Sequence, residues 1–588
     1  MSEPSHSPID NLITEHIDIW TSAIKRKSSS GRGSSKKIEL YGIKKLRELI
    51  LELAVRGKLV AQDPNDKPAS VLLERIAAEK ALLVKEGKIK KPKKLPEISD
   101  DEKPFELPGG WEWSYLSEIY DIRDGTHDTP KYQESGYPLV TSKNLSSGKL
   151  NLDDVKYISE QDHQSIIQRS KVDLDDVLFA MIGSIGNPVL VDIEPDFSIK
   201  NVALFKYYDR SLVSPSYLLN FLTFAQIKFK SEASGAVQSF VSLSKIRNYV
   251  MALPPLTEQH RIAAKVDELM ALCDQLEAQT ESSLDAHQTL VTVLLDTLVN
   301  SKNAEDLAEN WMRISGHFDT LFTTEQSIDQ LKQTILQLAV MGKLVEQNPN
   351  DEPASVLLER IAAEKEELIK QKKIKKQKPL PPITEEEKPF ELPEGWEWVR
   401  FGWLGYDLGG GTPSKSKADY WDGNIPWVSP KDMKRNYIDS SIDYITAEAL
   451  DGSTVKLIPI NSLLMVVRGM ILAHSFPVAI TQKPVVINQD MKALVFSELL
   501  PDFVLLMLQG FKDKMLQRVD RSSHGTCKLV SEKLWDVVLA IPPLEEQHRI
   551  VAKVDELMAI CDQLKARLSD AQTTQLNLAD ALVAQAVD

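Results

Sequence analysis

Along two long stretches of this chain, apolar residues recur by steps of four and three. In the first, Ile262, Val266, Leu269, Cys273 and Leu276 keep the step; it weakens through Thr280, Ser283 and His287 and recovers at Leu290 and Leu294. In the second, Ile550, Val554, Leu557, Cys561, Leu564, Leu568, Ala571, Gln575, Leu578 and Leu582 keep it throughout. A 3.5-residue spacing of this kind predicts coiled-coil helices. Roughly 40 helical residues at 1.5 Å each give a rigid spacer on the order of 60 Å long. Shorter helical patterns run from Ile43 to Val60 and from Pro68 to Val84. Elsewhere short apolar runs such as DVLFAMIG (176–183), NVALFKYY (201–208), LLMVVRG (463–469) and MKALVF (491–496) read as strands. SPSYLLNFLTFAQIKFK (214–230) and PDFVLLMLQGFKDKML (501–516) read as helices. The pattern predicts mixed α/β (α+β) domains separated by long helices.

The chain also repeats itself. Residues 53–113 recur at 338–398 with PASVLLERIAAEK (68–80) copied letter for letter at 353–365, and EKPFELPGGWEW (102–113) returns as EKPFELPEGWEW (387–398). PPLTEQHRIAAKVDELMALCDQL (254–276) returns as PPLEEQHRIVAKVDELMAICDQL (542–564). Between these blocks, 114–252 and 399–540 barely resemble each other. The expected organisation is a flexible tail (1–38), a helical repeat (39–104), a variable domain (105–253), a central helical region (254–389), a second variable domain (390–541) and a final helix (542–588). The duplicated helices would pack antiparallel about a pseudo-twofold axis. Two constant frames with two divergent inserts suit a molecule that reads two different half-targets at a fixed separation.

Composition narrows the class. A net charge of −15 argues against a protein that simply coats DNA, but a groove needs only a local basic lining. The most apolar window, LLMVVRGMIL (463–472), is too short for a membrane span and contains Arg468. The start, MSEPSHSPID, lacks a signal-peptide pattern, and three cysteines without metal spacing point to a reduced, cytoplasmic protein. Cys273 and Cys561, at matching seam positions, read as small core residues. KRKSSSGRGSSKK (25–37) reads as a linker, and the Lys-rich ends KEGKIKKPKKLP (85–96) and KQKKIKKQKPLPP (370–382) either approach phosphates or solvate helix termini.

No G-x-x-x-x-G-K-[ST] loop, no G-x-G-x-x-G opening a helix, and no [DNS]-P-P-[YFW] motif occurs, so the residues give no sign of an active site. His260 and His548, inside EQHRI, read as structural.

Two variable domains, each followed by PPL-x-EQHRI…KVDEL, resemble the specificity subunit of type I restriction-modification systems; LAV-x-GKLV and PASVLLERIAAEK resemble its longer-chain branch, type IB. The resemblance covers the chain from about residue 40. It implies two target recognition domains, each reading half of an asymmetric bipartite DNA sequence, and helices that dock two DNA adenine methyltransferase subunits. Restriction subunits carrying a translocase and nuclease would join them. It also implies no catalysis in this chain, with S-adenosylmethionine, ATP and magnesium belonging to the partners. The rival readings are a stand-alone DNA-binding regulator and a coiled-coil scaffold.

Corresponding polar loops are the expected DNA contacts. GTHDTPKY (125–132) with Thr126, His127 and Lys131 matches GTPSKSKADYW (411–421) with Thr412, Lys415 and Lys417. TSKNL (141–145) with Lys143 and Asn144 matches VSPKDM (428–433) with Lys431. GSIGN (183–187) parallels RGM (468–470) with Arg468, and SIKN with Lys200 and Asn201 parallels INQD with Asn488 and Gln489. Late in each domain, Gln238 stands opposite Arg521 and His524.

Overall fold

The computed structural model describes residues 8–26, 38–233, 239–376, 379–521 and 525–587. They divide into two compact units, 1–283 with 571–588 and 284–570.

In unit 1 the strands Glu112–Tyr115 and Val250–Leu253 pair antiparallel, so the two ends of the variable segment close on each other. Between them lies an antiparallel four-stranded sheet in the order Tyr120–Asp124, Val202–Tyr207, Val177–Ala180, Gly186–Leu190. A three-stranded sheet places Tyr137–Val140 between Lys156–Ile158 and Ser198–Ile199. The helix Pro215–Ser231 starts with Ser214 as N-cap and Pro at its first turn, where a missing N–H costs nothing. It buries Tyr217, Leu218, Phe221 and Phe229.

Unit 2 repeats this plan on a different sequence. Glu397–Arg400 pairs with Val538–Ile541, and the main sheet runs Tyr406–Gly409, Met491–Val495, Leu463–Val466, Val478–Thr481, Tyr437–Ile438. A second sheet sets Trp421–Val428 between Asp443–Ile445 and Val486–Ile487. The apolar runs expected as strands are strands, because nearly every residue in them is buried on both faces.

The repeated motifs are repeated because they pack on one another. After the helix Tyr41–Val55 the chain turns through Gly57 at φ +70°, where an added Cβ would meet Pro108 Cγ at 2.5 Å. Gly342 is the same turn in unit 2, with Pro393 Cγ at 2.4 Å. Only glycine fits there. The Trp that follows each proline is clamped by the Glu of EQHRI. Glu258 accepts from Trp111 Nε1 at 3.0 Å and Gln62 Nε2 at 2.7 Å; Glu546 accepts from Trp396 Nε1 at 3.1 Å and Gln347 Nε2 at 3.2 Å. The adjacent glutamine ties the helix to the variable domain. Gln259 accepts from the Ser214 amide (3.2 Å) and donates to the Pro254 carbonyl (3.0 Å). Gln547 accepts from the Leu500 amide (3.1 Å) and donates to the Pro542 carbonyl (3.2 Å). Arg261–Asp66 and Arg549–Asp351 close the clamp, both at 2.7 Å. His260 and His548, between these residues, are exposed.

The two long helices are Leu256–Val299 and Leu544–Val587, 44 residues each. The last segment of the second helix joins unit 1, where Asp580 accepts from Tyr41 Oη at 2.8 Å, and the last segment of the first joins unit 2, where His287 Nε2 lies 3.2 Å from the Thr320 carbonyl. The seam departs from expectation at matching places. Leu290 and Leu578 are exposed, while Val291, Leu295, Leu298 and Ala579 are buried, and Leu294 is only partly so. A straight helix at 3.6 residues per turn drifts about 20° per heptad from a 3.5-residue stripe, so the buried face moves one residue on.

Residues 1–38 are not a tail throughout. Pro8–Glu15 and Ile17–Ser22 are helices, Trp20 is fully buried with its Nε1 donating to the Leu12 carbonyl at 3.3 Å, and Lys25–Arg26 pairs with Ile38–Glu39. Most of the basic Ser/Gly tract, 27–37, lies outside the described residues.

Each repeat also ends its second helix in one way. Ala69–Lys85 closes with Gly87 at φ +70°, its amide on Val84 O (3.1 Å) and the Lys88 amide on Leu83 O (2.9 Å). Ala354–Lys370 closes identically, but Lys372 occupies the left-handed position at φ +55°. A side chain there is strained, so Lys372→Gly is expected to stabilise unit 2 by about 0.5–1 kcal/mol in urea unfolding.

Candidate nucleic-acid interface

In each variable domain the backbone draws loops from distant parts of the sequence to one place. In the first, the Thr126 amide donates to the Ile199 carbonyl (3.0 Å) and the Asn201 amide returns to the Thr126 carbonyl (3.1 Å). Lys200 N donates to Val140 O (2.9 Å), bringing in the 141–145 turn, and Met181 N donates to Asn201 O (3.2 Å). Gly183 N to Ser239 O (3.0 Å) and Val241 N to Met181 O (2.9 Å) add the late loop. The second domain repeats the network: Gly411 N to Ile487 O (2.9 Å), Asn488 N to Val428 O (2.9 Å), Val467 N to Asp490 O (2.8 Å), Gly469 N to Cys527 O (3.0 Å) and Leu529 N to Val467 O (2.9 Å). One main-chain scaffold thus presents different side chains in the two domains.

Most of the expected residues meet on it. His127 is exposed, with Nδ1 3.1 Å from Asn201 Oδ1 and Nε2 2.8 Å from Asp124 Oδ2. Lys200 Nζ bonds Thr129 Oγ1, and Thr412 Oγ1 bonds Gln489 Oε1. Lys143 is exposed and pairs with Asp154, while Lys417 Nζ lies 3.0 Å from Tyr420 Oη and over its ring. Lys131, Lys415 and Lys431 are exposed with no ion-pair partner among the described residues. Arg468 is half-exposed, its guanidinium 3.7 Å from Asp490. Arg521 is exposed, with Nη2 donating to the Ala473 carbonyl at 3.1 Å.

Two of the expected residues are turned inward. Asn144 is buried; Oδ1 accepts from the Thr141 amide and hydroxyl (both 3.0 Å), and Nδ2 donates to the carbonyls of Asn151 (3.0 Å) and Asp154 (3.2 Å). All its bonding capacity is used inside the fold. Asn488 is buried too, its Oδ1 accepting from the Asp490 amide at 3.0 Å to make the turn. Gln238 and His524 lie outside the described residues.

The structure adds residues that no local motif flagged. Arg169, on the helix Glu160–Ser170, reaches back to Asp124 and to the Gly125 carbonyl (3.3 Å). Lys528 bridges Arg468 through the backbone. His163 is buried, stacks on Tyr137 at 4.0 Å, and shares a hydrogen bond with Ser198 Oγ at 2.9 Å, so it pins the strand that leads into Lys200. Burial lowers its pKa, favouring the neutral ring. Exposed Phe240 and Met470 stand beside the same loops.

Among the described residues no group of three or more His, Cys, Asp or Glu is placed to hold a metal, and no helix is long and apolar enough to cross a membrane. Cys273, Cys527 and Cys561 are buried and free, and burial pushes the Cys273 thiol up to about 11. In unit 2 a cavity of about 790 Å³ lies under the 379–383 strap, apart from these loops.

A family model for the type I restriction modification DNA specificity domain matches residues 108–286 and 393–571. The chain is 43% identical to the type I restriction enzyme EcoAI specificity subunit of Escherichia coli, across 99% of this chain and all of that one. It is 42% identical to the EcoEI specificity subunit of the same organism over the same shares. The crystal structure of the HsdS subunit from Thermoanaerobacter tengcongensis aligns with 83% of this chain and 98% of its own at 19% identity, with a TM-score of 0.40. Duplicated frames, paired loop clusters and the sequence matches agree: the chain belongs to the family of type I restriction-modification DNA specificity subunits.

Proposed function

We propose that this chain is the non-catalytic DNA-reading subunit of a type I restriction-modification complex, each variable domain reading one half of an asymmetric bipartite target. The observation that carries the reading is the matched loop network, which holds one backbone scaffold in both domains and changes the side chains on it. Base identity is read best in the major groove by Arg, Lys, Asn and Gln. On this reading Arg468, Gln489 and Lys431 in the second domain, and Lys200, Asn201 and His127 in the first, would do so. Exposed lysines and Arg169 supply phosphate contacts, which give affinity without sequence information.

Two DNA adenine methyltransferase subunits and the restriction subunits would assemble on the duplicated helices in the cytoplasm. A target adenine must leave the stack to be methylated, so this chain has only to hold the duplex in register. S-adenosylmethionine, ATP and magnesium would serve the partners.

Methylome sequencing of host DNA with and without the gene tests the reading. A split, asymmetric N6-methyladenine motif should vanish on deletion; an unchanged methylome at an active locus would overturn it. Within the complex, Arg468→Ala should weaken target binding by about ten-fold, the scale of one direct base contact. Equal binding and methylation by the variant would remove Arg468 from the interface.

A further inference from the structure

We propose that the two lysine runs at the ends of the second repeat helices, 85–94 and 370–376, grip the phosphate backbone of duplex DNA beyond the bases that the variable domains read. The proposal rests on the DNA-reading function above and adds a second, sequence-independent contact to it.

In a chain of net charge −15, residues 85–94 hold six lysines and one glutamate, and 370–376 hold five lysines and no acid. Ordinary helix chemistry does not need this many. A helix C-terminus carries about half a negative charge, which one or two lysines neutralise. The remainder are exposed and repel one another. Lys88 pairs with Glu86 at 2.8 Å, but the side chains of Lys90, Lys91, Lys93, Lys94, Lys373, Lys375 and Lys376 have no hydrogen-bond or ion-pair partner among the described residues.

The runs are also placed, rather than trailing. Both leave their helix through the same left-handed turn, kept in unit 2 although Lys372 must strain to adopt it, and Ile89 and Ile374 are half-buried within them. The supporting helices are fastened to the variable domains. Lys80 Nζ donates to the Ser117 carbonyl at 2.7 Å and lies over the Tyr208 ring; Lys365 Nζ donates to the Trp403 carbonyl at 3.1 Å. Ser117 stands just before the strand Tyr120–Asp124, which leads straight into the Thr126 loop. Each cationic run therefore belongs to the same compact unit as one set of reading loops. Duplex DNA offers a negative charge about every 1.7 Å along its axis. A polyanion lying along the domain is the matching partner. An acidic protein surface is the competing occupant.

The test uses the complex of the full chain with its methyltransferase partner. Lys90, Lys91, Lys93, Lys94, Lys373, Lys375 and Lys376 are replaced together by glutamine. Binding is followed between about 50 and 200 mM salt, the range in which phosphate contacts separate, on a target duplex with long flanks and on a scrambled duplex of equal length. Both proteins should melt alike, because the lysines are exposed. The slope of log K against log salt should fall by about 3, at up to about 0.9 for each phosphate left unneutralised. Affinity should drop at least ten-fold, by the same factor on both duplexes. An unchanged slope overturns the proposal and leaves an acidic protein surface as the occupant of the runs. If the wild-type complex prefers no sequence at all, the reading function fails instead; the slope on the scrambled duplex still decides the role of the lysines.

Discussion

Arg400→Ala is expected to cost unit 2 about 2–3 kcal/mol, the scale of losing the hydrogen bonds of a buried charged group. Its side chain is 5% exposed and reaches five groups, one of them the Asp536 carboxylate at 2.9 Å. Nε donates to Pro381 O at 2.7 Å and Nη2 to Pro382 O at 2.9 Å. Nη1 and Nη2 clasp the Glu387 carboxylate at 3.0 and 2.8 Å, and Nη1 donates to Asp536 O at 2.8 Å. Alanine leaves the partly exposed Glu387 carboxylate and three carbonyls without their donor and frees the proline strap from the domain. The guanidinium holds the Glu387 carboxyl down at about 2. A depressed carboxyl stabilises the fold above its unfolded value, near 4.5, and that contribution disappears as pH falls through about 2. The wild type and Arg400→Ala should therefore differ most in urea midpoint at neutral pH and converge in acid. Faster proteolysis within 379–388 should accompany the loss. At the equivalent place unit 1 has Tyr115, so Tyr115→Ala should not release 94–103 in this way. Equal urea midpoints for Arg400→Ala and wild type at pH 7 would show that the ion pairs do not hold the strap.

Glu546→Ala should rank beside it, at about 1–3 kcal/mol, because it leaves one buried donor, Trp396 Nε1, without its acceptor, while the exposed Gln347 keeps the Gly342 carbonyl at 2.9 Å. Glu258→Ala should do the same to unit 1. Glu546→Gln keeps the shape and one acceptor and should lose far less. Burial raises the pKa of both glutamates. The carboxylate is thus the costly form: this contribution is fully present below the unfolded pKa and declines as pH rises through the folded one. Glu546→Gln should flatten that part of the pH–stability curve. Tryptophan-monitored unfolding in urea reads all of these, and an alanine variant as stable as wild type would mean that water satisfies the clamp.

The duplication was legible because its repeated letters are the ones that touch: a glycine under a proline, a tryptophan on a glutamate, an arginine on an aspartate. Such contacts tolerate few alternatives, so the motif and the packing are one fact. Strand positions were legible from fully apolar runs, and the loop correspondences from offsets that the backbone network follows. What escaped has physical reasons. Asparagine serves equally to read adenine and to cap a turn, so Asn144 and Asn488 carried no local sign of which role they play. The seam at Leu290 and Leu578 slipped because neighbouring leucines are equally apolar and only accumulated twist decides between them. The helices at 8–22 were hidden by the basic tract beside them, and Arg169 joins the loops from a helix that no motif marks.

Gln259 and Gln547 hold their variable domains by the amide of Ser214 in one case and of Leu500 in the other, and by prolyl carbonyls on the opposite side. These are main-chain atoms, which every amino acid supplies in the same position. The fastening is therefore blind to the identity of what it fastens. At these two ties a domain of wholly different composition can be spliced between the same two frames, by recombination or by design, with no matching change in either glutamine.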